Sequence, residues 1–503
     1  MQSMFFCVFY DIICYNKVNC KLAIFKRRNL LVKKIFQLVI LFALFFTLPI
    51  QSFASVNGAI TTHLGKSNAA VTIRDAESGK IVYSQNGDKL MRPASNMKLV
   101  SGAAALSILG EDYRFKTDLY IDGIIVNDTL NGNVYIKGSG DPTLKKDDFL
   151  EFAKVLKRNG IRTINGHLIG DDTAFSGSTL PPGVLKSDET YYFGARTSAI
   201  TMSQNNDFDA STVIITAKPG KVGAKPSYSI EPNLSGMVIS NQAKTVKKGS
   251  RNTIAIKRAY NTNRIVISGN LPQGSSKKEW VTLQDPSKNT MQAIKQTLQG
   301  TGLKFVKSSK VELGKVPNKA TLLYTNESRT LAAIFPAFMK LSNNSIADIL
   351  VKAMGKEELG EGSTNKGVTL LKKYSASLNI PVTNWRFADG SGLSNSNRVT
   401  SNGLSQLLFK VQKEPYFDTF FDSLPVAGNK ERMVGGTLKS RLTNSALHNR
   451  IFAKTGYIPN VYTLSGYMKG QSGKQYIFSI LLENKSSGTV YIDRAMAALV
   501  KNL

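Results

Sequence analysis

The chain is 503 residues long and strongly basic, with 65 Lys and Arg against 35 Asp and Glu, a formal net charge of +30, and only three cysteines and three histidines. Cys7, Cys14 and Cys20 all fall in the first twenty residues, and His63, His167 and His448 stand in no metal-ligand spacing. Thiol catalysis, a disulfide framework and a zinc site are therefore excluded from the remainder, and no metal or other cofactor is expected.

The first element is a leader. A basic stretch, "KLAIFKRRNLLVKK", precedes the apolar run "IFQLVILFALFF" at 35–46, and "QSFAS" follows with Ser52 and Ala54 at the small-residue positions. This is the layout of a secretory signal peptide, with an apolar core short for a membrane span. Residues 1–54 are expected to be cleaved and the protein to work in the periplasm or another extracytoplasmic space; an uncleaved anchor is the alternative. The leader holds seven Lys or Arg and one Asp, so the remainder carries about +24. Such a charge draws a protein to anionic wall polymers or lipid headgroups, although a solvated Lys-rich surface accounts for it equally. Nucleic acid is not an expected partner outside the cytoplasm.

After the leader, "AVTIRD" and "KIVYSQN" read as two strands joined by the tight-turn composition "AESG". Pro93 then precedes a helical stretch, "SNMKLVSGAAALSIL", closed by Gly110. At the far end, "RIFAKTG", "VYTLSGYMKG" and "KQYIFSILLENK" read as successive strands and "VYIDRAMAALVKNL" as a final helix. Chain ends that feed one sheet, with helices against it, imply an α/β domain split by an insertion. The predicted division is 55–113 with 318–503 for the split domain, 114–209 with 273–317 for an inserted α/β domain, and 210–272 for a nested all-β domain. The nested part is rich in strands and turns, as in "STVIITAKPG" and "RIVISGNLP".

Three short motifs suit a single chemistry. Ser95 and Lys98 in "SNMK" are i and i+3 on a helix, so the Lys98 amine can reach the Ser95 hydroxyl. A serine is a weak nucleophile until a base takes its proton, and a desolvated lysine can be that base. The tract "GSSKKEW" repeats the spacing at Ser275 and Lys278, but in a polar loop composition with no helix start. Ser342-Asn343-Asn344 is the second motif: a hydroxyl to relay a proton and an amide to orient substrate, or simply a helix cap. Lys454-Thr455-Gly456 is the only K-T-G in the chain. On an edge strand its lysine and hydroxyl would bind a carboxylate, and Gly456 would admit substrate backbone closely.

With these motifs and the blocks "YIKGSGDPTL", "INGHLIGDDTAF", "FADGSGLSNSNRVT" and "GGTLKSRL", the chain resembles the class C low-molecular-mass penicillin-binding proteins, exported D-alanyl-D-alanine carboxypeptidase/endopeptidases of the peptidoglycan. The resemblance runs from about Gly58 to the C-terminus. It implies a penicillin-binding/serine β-lactamase-like transpeptidase domain, an antiparallel sheet flanked by helices, with a large insertion. The 247 positions between Ser95 and Ser342 favour this class over serine β-lactamases, which keep the two motifs closer. The resemblance implies that Ser95 attacks the penultimate D-alanine carbonyl, with Lys98 as base and Ser342 as proton relay. Asn344 would hold the donor peptide, Lys454 would supply positive potential, and Thr455 would grip the terminal carboxylate. The N–H groups of Ser95 and Tyr457 would form the oxyanion hole. Expected partners are peptidoglycan stem peptides, and β-lactams as acylating inhibitors.

Two departures stand out. Tyr457 follows Gly456 where the family commonly has a second threonine, which is expected to weaken preference for a free carboxylate and favour cross-link cleavage. In "VLKSDETYYFGAR" the chain keeps Asp188 and Tyr192, expected to recognise the peptide's side-chain amine, but lacks the family's tryptophans. Asp389 and Ser391 in "DGSGLSNSNR" are expected to shape the cleft rim rather than react. A β-lactamase or esterase on the same scaffold, and a catalytically silent wall-binding protein, are the competing readings.

Overall fold

The computed structural model describes residues 56–232 and 236–503, so the leader and its cleavage site lie outside the described residues. The strand pair Ala69–Asp75 and Ile81–Gln85 is antiparallel, as the "AESG" turn requires. The same sheet continues through Gln475–Glu483 and Val461–Lys469 to the edge strand Ile451–Ile458, every pairing antiparallel. The two ends of the chain thus complete one sheet.

Its three central strands are buried on both faces, and the two-residue period sorts their side chains. Val71, Ile73, Phe478, Ile480 and Leu482 pack with the C-terminal helix Gly488–Asn502 on one side. Ala70, Ile477 and Leu481 face the helices on the other. Met97–Leu109 is buried along most of its length, with little polar face. That is the pattern of a central helix rather than a surface one. Its small residues allow close packing: a Cβ on Gly102 would lie 3.0 Å from the rings of Phe335 and Phe338. The helices Leu331–Lys340 and Asn344–Leu359 supply the opposite wall of this core.

The insertion is built on a second five-stranded sheet, in the order Val311–Leu313, Leu168–Asp171, Val134–Gly138, Lys116–Ile121, Thr321–Glu327. Its last strand lies beyond the expected boundary at 317: Thr321–Glu327 pairs antiparallel with Lys116–Ile121. The strand-rich block likewise runs past 272, because Lys277–Thr282 pairs with Thr212–Lys218. The "GSSKKEW" tract is therefore a strand in its second half, not a loop. Leu119, Phe152 and Met291 of the α/β part share one apolar cluster with Val213, Ile265 and Val281 of the strand-rich part. The two pack around a common core rather than two separate ones.

Candidate active site

Ser95 lies in a single 3-10 turn, Ala94–Asn96, that opens the helix starting at Met97. Three contacts tie this turn to the sheet. Asn96 Nδ2 donates to Lys454 O at 2.6 Å, Asn96 Oδ1 accepts from Ser465 Oγ at 3.0 Å, and Thr463 Oγ1 donates to Pro93 O at 2.9 Å. Ala94 is held at φ 45°, a costly conformation for a residue with a side chain. The turn is thereby fixed with Ser95 half-buried at its tip.

Lys98 is completely buried. Its ammonium donates to Ser95 Oγ at 3.1 Å, Asn344 Oδ1 at 2.6 Å and Ser391 O at 2.8 Å. Burial lowers its pKa to about 8, opposed by the charges of Asp348 and Asp389. Burial also raises Asp348 to about 7, helped by Asp389. Asp389 accepts from the N–H groups of Gly392 and Ser394 and from Asn397 Nδ2, so it holds the rim loop in shape.

The second motif divides its work. Asn343 caps the helix Asn344–Leu359, accepting from Ile346 N, and its amide donates to Asp207 O, Phe208 O and Asp209 Oδ1. Helix capping, the plainest expectation for such a tripeptide, thus falls to the middle residue and leaves its neighbours turned to the cleft. Ser342, at φ 59°, accepts from Lys454 Nζ at 2.8 Å. Asn344 engages both ends of its amide, accepting from Lys98 and donating to Phe193 O at 2.9 Å.

Lys454 is buried on the edge strand, and burial together with the nearby Lys98 charge pushes its pKa well below the usual lysine range. Thr455 Oγ1 donates to Thr437 Oγ1 at 2.8 Å. Gly456 is required by packing within the protein itself. A Cβ there would meet Thr463 Oγ1 at 2.1 Å and Ser95 N at 2.9 Å, so the neighbouring strand and the Ser95 turn both approach closely. Tyr457 is 63% exposed, its ring centroid 5.2 Å from that of Tyr462.

The five motif side chains fall into two hydrogen-bonded sets, Ser95–Lys98–Asn344 and Ser342–Lys454. Asp188 is outside both: half-buried, it accepts from Ser187 Oγ. Tyr192 lines a pocket beside Thr437 instead. Three contributors were not singled out by sequence reasoning. Asp348 stands four residues after Asn344, hence on the same helix face, a signal that was legible. Thr437 and the Phe193 carbonyl have no local signature.

A split antiparallel sheet that presents Ser-x-x-Lys, Ser-x-Asn and Lys-Thr-Gly to one another defines the penicillin-binding class. The fold agrees with penicillin-binding protein 4 of Haemophilus influenzae, whose crystal structure superposes with a TM-score of 0.75 at 24% identity, over 88% of this chain and 98% of that one. Residues 55–503 match the D-Ala-D-Ala carboxypeptidase 3 (S13) family, and the chain belongs to it. Among relatives, a D-alanyl-D-alanine carboxypeptidase from an Actinomadura species is 34% identical over 84% of this chain and 78% of its own. D-alanyl-D-alanine carboxypeptidase DacB of Haemophilus influenzae is 28% identical over 91% and 94%.

Proposed function

We propose that the chain is an exported peptidoglycan DD-peptidase that works through a Ser95 acyl-enzyme. The observation that carries this reading is the buried Lys98 amine, 3.1 Å from Ser95 Oγ with its pKa lowered to about 8. An amine so positioned, with a usable neutral fraction near pH 7, supports Lys98 as the base for Ser95. Lys98 takes the Ser95 proton as Oγ attacks the penultimate D-alanine carbonyl. The N–H groups of Ser95 and Tyr457 hold the oxyanion. Ser342, polarised by Lys454, hands a proton to the departing nitrogen, and water then releases the acyl group. Asn344 orients the donor peptide, while Thr455 and Thr437 offer hydroxyls to a carboxylate. Penicillins acylate Ser95 by the same attack; the related penicillin-binding protein 4 of Haemophilus influenzae has been crystallised with a β-lactam. The leader supports export, and the positive charge of the remainder supports attraction to an anionic wall or membrane surface.

The test is to incubate the purified protein with a fluorescent penicillin and with a muropeptide ending in D-Ala-D-Ala. Stable labelling and D-alanine or cross-link release, both lost in Ser95→Ala, are expected. Rapid penicillin turnover without peptide cleavage would make it a β-lactamase, and absence of labelling would make it a silent wall-binding protein.

Tyr457 bears on the choice of substrate. Thr437 supplies one hydroxyl beside Thr455, and Tyr457 withholds a second. Tyr457→Thr is expected to raise D-alanine release relative to cross-link cleavage about fivefold, the worth of one hydrogen bond of ~1 kcal/mol. D-alanine release by the unaltered protein that equals or exceeds that of the variant would contradict this.

A further inference from the structure

Asp348 lies on the helix Asn344–Leu359, one turn beyond Asn344, and is 8% exposed. Its Oδ1 accepts from Gly390 N at 3.0 Å, and the Ser391 hydroxyl donates to the same carboxylate. The Ser391 carbonyl in turn receives the Lys98 ammonium at 2.8 Å. We propose that Asp348 is a positioning residue for the Lys98 base: it braces the loop that receives the Lys98 ammonium, and its charge sets the pH at which Lys98 can accept the Ser95 proton. The inference rests on the acyl-enzyme reading and extends it to what governs the base.

The braced loop has little freedom. Ser101 Oγ, on the helix that carries Lys98, donates to Gly390 O at 2.7 Å, so Gly390 is held from both sides. A Cβ on Gly390 would lie 2.6 Å from Ala347 O of the Asp348 helix, and one on Gly392 would collide with Ala94 O. The loop is thus a wedge between that helix and the nucleophile turn. Two acceptors, Asn344 Oδ1 and Ser391 O, share the Lys98 ammonium with Ser95 Oγ. One helix places both of them, the first directly and the second through Asp348.

Charge is the other half of the role. Lys98 meets the fields of Asp348, of Asp389 on the rim loop and of Lys454 on the edge strand, while Lys352 acts on Asp348 from one turn further along the helix. Asp389 is committed to Gly392 N, Ser394 N and Asn397 Nδ2, so Asp348 is the carboxylate whose charge can be removed with less disturbance of the loop. Burial, helped by Asp389, raises Asp348 to about 7, still below Lys98 at about 8. Its carboxylate is therefore ionised before Lys98 gives up its proton. A negative charge beside an ammonium favours the charged form, so its removal should let Lys98 become neutral at lower pH.

The experiment follows penicillin acylation of Ser95 against pH in the wild type and three variants. Asp348→Asn keeps an oxygen for Gly390 N and loses the charge. The midpoint of its profile is expected about one pH unit lower, which makes acylation at pH 6 roughly tenfold larger as a fraction of the plateau. Asp348→Ala also loses the brace, and its plateau is expected about tenfold below that of Asp348→Asn because the amine is misplaced. Asp348→Glu restores the charge, so its midpoint should lie about one unit above that of Asp348→Ala, a comparison that stands even where Asp348→Asn does not fold. A merely structural aspartate would lower the rate at every pH and leave the midpoint in place. Midpoints that coincide in all four proteins, or equal plateaus in Asp348→Asn and Asp348→Ala, overturn the assignment alone. A wild-type protein that penicillin leaves unlabelled overturns the proposed function, and the assignment with it.

Discussion

Lys98→Ala is expected to slow penicillin acylation of Ser95 by ~10²–10⁴-fold, the usual worth of a positioned general base. The effect is large because nothing replaces the amine. Lys454 is bonded to Ser342 and Thr455 O, and Asp348 Oδ1 accepts from Gly390 N. The unaltered protein should show the corresponding pH dependence. Only neutral Lys98 can accept the serine proton, and its pKa is lowered from 10.5 to about 8. Roughly a tenth is then neutral at pH 7, against about one in 3,000 for an ordinary lysine. Acylation should climb as pH rises toward 8 and level off above it. Stopped-flow labelling across pH 6–10 checks both statements, and a flat profile, or a Lys98→Ala variant within tenfold of wild type, would remove Lys98 as the base. The variant also leaves Asn344 Oδ1 and Ser391 O without their donor, so thermal unfolding should accompany the kinetics to separate lost chemistry from lost structure.

Gly456→Ala is the second large effect. One methyl group would have to enter where Thr463 Oγ1 is 2.1 Å away and Ser95 N is 2.9 Å away. Thr463 cannot simply swing aside, because its hydroxyl holds Pro93 O. The edge strand or the nucleophile turn must shift, and a displacement of about 1 Å at a reacting group costs ~10²-fold. Acylation is expected to fall by about that factor, with a destabilisation of ~1–3 kcal/mol from overpacking. Gly456→Ala combined with Thr463→Ala removes the shorter contact and should recover part of the loss. A single variant that acylates at the wild-type rate would show that the strand has slack.

The parts legible in the sequence were those whose geometry is local. The hairpin at 69–85, the helix after Pro93 and the Ser95–Lys98 spacing each depend on a few neighbouring residues, and the resemblance joined them to motifs 247 and more positions downstream. Parts that depend on remote partners were not readable. Lys277–Thr282 carries the polar composition of a loop and becomes a strand because Thr212–Lys218 lies beside it. Thr321–Glu327 joins the sheet of Lys116–Ile121 across about two hundred residues, and no periodicity announces that pairing. Thr437 meets Thr455 from a segment eighteen positions away. Gly456 was expected to admit substrate backbone, whereas its need for space beside Thr463 and Ser95 could only come from the packing.

The closing of one sheet by both ends of the chain has a consequence for the timing of activity. During synthesis the N-terminal part emerges first, with Ser95 and Lys98 already on it. Yet Lys454, Gly456 and the strand that pins Asn96 belong to the last tenth of the polypeptide. Until that tenth arrives, Ser95 has neither the Tyr457 N–H beside it nor a fixed turn. A half-synthesised molecule is thus a hydrolase without teeth, and peptidase activity waits for the finished chain.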